Sequence, residues 1–249
     1  MTNIAICGCN GKMGKVIYSV IRDRGDCQAI AGIDVNATAH ADFPVFSKPV
    51  ELEVRPDVII DYSHPSSLNG LLEYGLATGC PIVLATTGYS EEQMAQIRKA
   101  AEQFPIFSTY NMSLGINLLV ELAKKATAVL GGQFDIEIVE KHHNQKIDAP
   151  SGTALMLADA MNGVLDQSMQ YVYDRHSRRK KRERSEIGMH AVRGGTIVGE
   201  HEVIFAGRDE VITLSHSAAS KEVFAVGSVN AAMFLKDKKS GLYDMSHLV

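Results

Sequence analysis

Asn3-Ile4-Ala5-Ile6-Cys7-Gly8-Cys9-Asn10-Gly11-Lys12-Met13-Gly14 stands near the start of the chain, and Lys15-Val16-Ile17-Tyr18-Ser19-Val20-Ile21 follows it. The first five residues form an apolar run of strand length, and the last seven carry apolar side chains at helical spacing. Strand, glycine loop and helix together are the context in which a Gly-x-x-Gly-x-x-Gly spacing can hold a dinucleotide. Gly8 permits the tight turn, Gly11 lets backbone approach a pyrophosphate, and Gly14 lets the helix lie close to the sheet. The spacing is a variant of the commoner fingerprint, and glycine turns without ligands are frequent, so the next strand matters. Gln28-Ala29-Ile30-Ala31-Gly32-Ile33 ends at Asp34. An acid there, about twenty residues beyond the glycines, would accept hydrogen bonds from an adenosine ribose.

The same alternation of strand and helix continues outward from this unit. Pro56-Asp57-Val58-Ile59-Ile60-Asp61 does not alternate and reads as a strand buried on both faces. Tyr62-Ser63-His64-Pro65 ends it, and a helix is expected over 66–78. Strands are expected over 81–85 and 106–109, with a helix over 91–103 between them started by Ser90-Glu91-Glu92-Gln93. In an open parallel sheet the ligand lies beyond the carboxyl ends of the strands. The loops at 8–14, 61–65, 85–89 and 109–113 therefore belong on one side, and Thr86-Thr87-Gly88 could face a nicotinamide and its ribose. Ordinary turn chemistry accounts for each loop taken alone.

Beyond Tyr110-Asn111-Met112-Ser113 the pattern changes. Residues 114–130 read as one long helix broken by Gly131-Gly132, and 134–139 as an alternating strand. Then comes Glu140-Lys141-His142-His143-Asn144-Gln145-Lys146-Ile147-Asp148-Ala149-Pro150-Ser151-Gly152-Thr153-Ala154. Two imidazoles and an ammonium are expected to leave the strand on one loop, which turns at Pro150 and enters a helix at Ser151-Gly152-Thr153. A helix start offers free backbone N–H groups and partial positive charge, which suits an anion. The combination suggests a pocket for a carboxylate with a proton donor beside it. Ser151 or Thr153 as a plain N-cap is the plainer alternative. A zinc site is disfavoured, because no cysteine or carboxylate stands at ligand spacing. Strand-like segments at 188–192, 196–206 and 209–216 point to a second, largely antiparallel sheet, and a helix over 222–235 is expected to return to the first domain.

The 249 residues suit two modest domains, and 29 acids against 25 Lys and Arg give a slightly acidic chain. No uncharged apolar run is long enough to span a bilayer. Met1-Thr2-Asn3 leads straight into a strand without a basic leader, and the four cysteines form no Cys-x-x-Cys pair. A cytoplasmic protein with reduced cysteines is expected. Arg175-His176-Ser177-Arg178-Arg179-Lys180-Lys181-Arg182-Glu183-Arg184 is conspicuously basic. It could bind nucleic acid, but no recognition motif flanks it, and a solvated loop or a substrate-steering role is the expectation.

These residues resemble the bacterial dihydrodipicolinate reductases (4-hydroxy-tetrahydrodipicolinate reductases) of lysine and diaminopimelate synthesis. The likeness rests on His-His-x-x-Lys-x-Asp-Ala-Pro-Ser-Gly-Thr at 142–153, on the glycine loop, and on Ala85-Thr86-Thr87-Gly88-Tyr89. Asn111-Met112-Ser113-Leu114-Gly115-Ile116-Asn117 and Arg193-Gly194-Gly195-Thr196-Ile197-Val198-Gly199-Glu200-His201 stand in the same order. The likeness is thin only between about 163 and 186. It implies a Rossmann-like α/β nucleotide domain over 1–112 and 222–249. Over 113–221 it implies an α+β substrate domain whose mostly antiparallel sheet builds a homotetramer. It implies reduction of a cyclic imine dicarboxylate by NADH or NADPH, and on the composition and spacing above no metal, nucleic acid or membrane is expected. It places the general acid on His142 with Lys146 beside it, and carboxylate binding on His143, Lys146, Ser151, Gly152 and Thr153. The cofactor residues it implies are Gly8, Asn10, Gly11, Lys12, Met13, Gly14, Asp34, Tyr62, Ser63, Ala85, Thr86, Thr87, Tyr110, Asn111 and Met112. Asn10 stands where many members have a further glycine, and Val35 where some carry an arginine near the ribose. A reductase of another small carboxylate on the same scaffold, or a nucleotide-sensing DNA-binding regulator, are the competing readings. A sensor has no need of a proton donor at its pocket.

Overall fold

In the computed structural model, residues 1–39 and 41–248 are described. Alternate residues of β1 (Thr2–Cys7) enter two different cores: Ile4 and Ile6 on one face, Ala5 and Cys7 on the other. Only a strand covered by helices on both sides needs this, and the layers follow from it. The chain divides into two compact units, Met1–Leu114 with Glu222–Val249, and Gly115–Lys221.

The first unit is a doubly wound α/β layer. Its elements in chain order are β1, α1 (Lys12–Arg22), β2 (Cys27–Ile33), β3 (Val45–Phe46), β4 (Val58–Asp61), α2 (Leu68–Thr78), β5 (Ile82–Leu84), α3 (Glu91–Ala101) and β6 (Pro105–Ser108). After the second unit the chain returns through α6 (Glu222–Leu235) and β12 (Gly241–Tyr243). The seven strands lie in the order β12-β6-β5-β4-β1-β2-β3, and every pair is parallel. On one face Ile17, Val20 and Ile21 of α1 meet Ala225, Val229 and Leu235 of α6. On the other, Leu68 and Leu71 of α2 and Ile97 and Ala101 of α3 cover the sheet. Ser90 and Gln93 form the reciprocal cap at the start of α3.

The second unit runs α4 (Leu114–Leu130, its first residue belonging to the first unit), β7 (Asp135–His142), α5 (Gly152–Asn162), β8 (Gln170–Val172), β9 (Glu186–Arg193), β10 (Gly199–Ala206) and β11 (Val211–Ala218). Its sheet has the order β11-β10-β7-β9-β8. The antiparallel ladders β7–β10 and β10–β11 carry the larger share of the pairing, while β7–β9 and β9–β8 are parallel. Ile116, Leu119 and Ala123 of α4 and Ala154, Leu157 and Met161 of α5 cover one face, packing on Ile136, Ile138, Met189, Val203 and Phe205. On the opposite face Val192 and Val211 are exposed.

Several local readings are corrected. Helix α1 starts at Lys12 and includes Gly14, which the spacing had left in the loop. The reason is steric: a Cβ at Gly14 would lie 2.2 Å from the Gly8 carbonyl oxygen, so this glycine is where the helix crosses the loop. Strand β10 begins at Gly199, since the residues before it turn at Gly195 (φ 49°). Strands β3, β8 and β12 are two or three residues long and show no period to read. The basic run is not simply solvated. Arg182 pairs with Asp135 and Glu137, and Arg175 with Glu137 and the buried Glu186. Arg182 also donates to the backbone carbonyls of Ile136 and Glu186. Two of its arginines therefore tie a loop to β7 and β9, because the carboxylates there lie partly or wholly out of water.

Candidate active site

The nucleotide side is built by the carboxyl ends of β1, β2 and β4. Gly8 has φ 79°, and a Cβ there would sit 2.5 Å from the Tyr62 carbonyl oxygen, so glycine alone fits between the two strand ends. Gly11 is the N-cap of α1 and has no side-chain cap, which leaves the helix start open. Asp34 holds this loop: its carboxylate accepts from the backbone N–H of Asn10 at 3.0 Å and of Asn36 at 3.1 Å. The side-chain amide of Asn10 donates to the carbonyls of Asn36 and Thr38. Asn10 thus closes the loop against the turn after β2, which a further glycine there could not do. Gly8, Gly11, Asp34, Ser63, His64 and Lys48 line a cavity of about 1070 Å³, and Tyr62 also borders it. Open helix start, glycine cradle and acid together fit the adenosine and pyrophosphate of a dinucleotide.

The other expected cofactor residues are placed less uniformly. Lys12 is exposed and Met13 half-buried, and neither lines the cavity. The Tyr62 hydroxyl is engaged with Ser228 at 3.0 Å, and burial pushes it up to about 12. Asp61, wholly buried at the end of β4, accepts from Ser63, from Thr86 at 2.7 Å and from Tyr89 at 3.2 Å. The Thr86 hydroxyl is therefore committed to the protein, while Thr87 is exposed. Ala85 donates its backbone N–H to Asp61, and so fixes the start of that loop. Tyr110 is 79% exposed, Asn111 accepts from the Ser113 N–H, and Met112 is buried with its carbonyl against Gly227. Asp61 is the residue that sequence reasoning missed here. Its signal was an acid closing an apolar buried strand.

In the second unit β7 runs three residues further than expected, and this changes the reading of the motif. Its burial alternates strictly, so Glu140 and His142 continue the inward face of Ile136 and Ile138. His142 is therefore the last strand residue, 9% exposed, and not a loop residue. Glu140 is wholly buried and receives four donors: Arg193 at 2.7 Å on each oxygen, His142 Nδ1 at 2.6 Å, and the Ser151 backbone N–H at 3.0 Å. Burial by itself would raise this carboxyl, but Arg193 and His142 outweigh it and hold Glu140 below the usual carboxylate range. Arg193 also donates to the carbonyl of Asp148 and so fastens the loop. The sequence did not reveal this pairing, because Glu140 and Arg193 meet only through the parallel register of β7 and β9.

Around this centre, His201 of β10 packs edge-on to His142, with ring centroids 5.1 Å apart. Burial, then the neighbouring His142, push His201 down to about 4, so it stays neutral. Its Nε2 lies 2.9 Å from the Ser151 hydroxyl, which accepts from the Ala154 N–H and caps α5. The plain N-cap reading of Ser151 is thus correct as far as it goes. Gly152 is exposed with open space around it, and Thr153 is half-buried on the same turn. His143 and Lys146 stand on the loop; the His143 Nδ1 is buried with no partner, and Lys146 pairs with Asp148 at 2.7 Å. Among the described residues no group of His, Cys, Asp or Glu is arranged to hold a metal ion, and no helix is long and apolar enough to cross a membrane.

Comparison with known proteins matches both halves of the chain. Residues 2–112 match the model of the dihydrodipicolinate reductase N-terminus, and 115–249 that of its C-terminus. A 4-hydroxy-tetrahydrodipicolinate reductase of Caldanaerobacter subterraneus subsp. tengcongensis is 53% identical, over 100% of this chain and 98% of the relative. One from Clostridium tetani is 48% identical, over 98% and 96%. Among solved structures, a dipicolinate-bound dihydrodipicolinate reductase from Paenisporosarcina sp. TG-14 superposes with a TM-score of 0.85 at 26% identity and full coverage of both chains. The chain belongs to the dihydrodipicolinate reductase family.

Proposed function

We propose that the chain reduces 4-hydroxy-tetrahydrodipicolinate (or dihydrodipicolinate) to tetrahydrodipicolinate with NADH or NADPH, in lysine and diaminopimelate synthesis. The observation that carries this reading is a nearly buried histidine beside an exposed helix start, within a chain whose two halves both match one reductase family. A bound reduced nicotinamide supplies the hydride. His142 gives a proton to substrate carbon as the conjugated ring takes up that hydride. Gly152 and Thr153 at the start of α5 hold one carboxylate by backbone N–H groups and partial positive charge. His143 and Lys146 bind the other, Lys146 exchanging Asp148 for the substrate. Ser151 keeps the helix start in shape. The adenosine end lies in the cavity at Gly8, Gly11 and Asp34, with Asn10, Lys12, Met13 and Gly14 shaping the loop. Tyr62, Ser63, Ala85, Thr86, Thr87, Tyr110, Asn111 and Met112 frame the remainder.

The open face of the second sheet, with exposed Val192 and Val211, supports a homotetramer built through that sheet. Four free, buried cysteines accord with work in the cytoplasm. The test is NAD(P)H consumption in a coupled assay in which a purified synthase makes the unstable substrate from pyruvate and aspartate semialdehyde. Oxidation that depends on both the synthase and this chain is expected. Its absence, with a folded protein, would refute the assignment.

A further inference from the structure

We infer that Glu140, clamped by Arg193, is a positioning residue that fixes which nitrogen of His142 delivers the proton. The inference rests on His142 being the acid.

Glu140 is buried and lies between two basic groups. Arg193 forks onto both of its oxygens, and His142 Nδ1 approaches one of them at 2.6 Å. An ionised carboxylate has only acceptors, so the nitrogen facing it must carry a hydrogen. Arg193, always protonated, keeps Glu140 ionised even in its dry setting. His142 therefore holds Nδ1–H in both of its protonation states, and the proton that comes and goes sits on Nε2. When the acid acts, the Nε2 proton leaves for substrate carbon, Nδ1–H remains, and Glu140 stays a carboxylate. No proton moves along the Glu140–Arg193 pair.

The same residues set the plane of the ring. Ser151 N–H and the Arg193 fork leave the carboxylate no freedom to rotate. His201 of β10 lies edge-on to the ring and is neutral, so it adds no competing charge. A Cβ at Gly199 would come within 3.1 Å of Nε2, so glycine there leaves the working nitrogen uncrowded. On the loop that follows β7, Lys146 and Asp148 pair with each other. Since Arg193 balances the charge of Glu140, its main contribution is tautomer and orientation.

The test reads the tautomer directly. Two-bond 15N–1H correlations on protein labelled at its 9 histidines, with His142 assigned by its absence in His142→Gln, show which nitrogen of the neutral ring is protonated. Nδ1–H is expected in the unaltered protein. In Glu140→Gln the amide meets the Arg193 fork with one donor against another, and the Nδ1–H state should be lost. Turnover should then fall on the order of a hundredfold, the scale of a misplaced general acid, with KM changed less than about threefold. A neutral His142 protonated on Nε2 in the unaltered protein would overturn the inference, and that spectrum needs no variant to fold. A Glu140→Gln protein with unchanged tautomer and turnover would overturn it as well. His142→Gln, assayed in parallel, separates the two readings: full turnover there removes the acid role itself.

Discussion

Replacing His142 with glutamine keeps a polar side chain at the end of β7 and removes the imidazole proposed to deliver the proton. Turnover should fall by roughly a hundredfold or more, while binding of the nucleotide, measured by fluorescence of the reduced cofactor, should hold. Turnover near that of the unaltered enzyme would exclude His142 as the acid. In the proposed ribose pocket Asp34 is expected to govern the choice between NADH and NADPH, because its charge would oppose a 2′-phosphate. The backbone N–H of Asp34 donates to the Phe46 carbonyl, so edge strand β3 carries Ser47 and Lys48 up beside it. Lys48 lines the cavity and Lys12 does not. A modest preference for NADH, on the order of tenfold or about 1.4 kcal/mol, is expected in kcat/KM. Asp34→Ala should move the ratio towards NADPH; Lys48→Ala and Lys12→Ala should move it towards NADH, the first by more. A strong preference for NADPH that neither lysine variant alters would rule out this account of the ribose pocket. Asp34 and Lys12 were legible as residues. Lys48 was not, because β3 has two residues and no period.

A buried hydrogen bond between His201 and the Ser151 N-cap links strand β10 to helix α5. The burial of His201 makes the second unit sensitive to acid. His201 sits at about 4 in the folded chain, against an ordinary value near 6.5 when unfolded. The unfolded chain therefore takes up a proton between those values that the folded chain refuses. Stability from this group is whole above about pH 6.5, falls with a slope of about 1.4 kcal/mol per pH unit as pH drops towards 4, and flattens below. Glu140, held low, withdraws its own contribution at more acid pH in the same direction. Urea unfolding followed by circular dichroism, since the chain has no tryptophan, should show this slope. His201→Gln should flatten the interval from 6.5 to 4, and an unchanged slope would assign the acid sensitivity elsewhere. The N-cap itself was readable from Ser151-Gly152-Thr153. Its partner, fifty residues on, needed the register of β10 against β7.

At the scale of the whole molecule, the proposed homotetramer would form through the open face of the second sheet. Lys141 pairs with Glu200 and Glu202 there, and Arg175, Arg182 and His190 surround Glu137, so these charges are already matched. Light scattering should give four times the chain mass, and Val192→Glu together with Val211→Glu should lower it, since new carboxylates would be desolvated in the contact. A monomer at micromolar concentration before any substitution would contradict the tetramer. Apart from the short edge strands β3 and β12, the order of strands and helices in the first unit was present in the sequence itself, because buried parallel strands must be continuously apolar and each helix must carry a 3.6-residue stripe. The glycine loop, Asp34 and the His142–Thr153 motif were present there too, since local backbone geometry and side-chain chemistry demand particular residue types in order. What only the tertiary structure decided were the pairings between residues distant in sequence. Glu140 with Arg193, Ser151 with His201, Asp61 with Thr86, and Arg182 with Glu137 each depend on strand register or loop closure. A charge buried in one element is tolerable only when another element brings its partner, and the sequence of either element alone does not contain that condition.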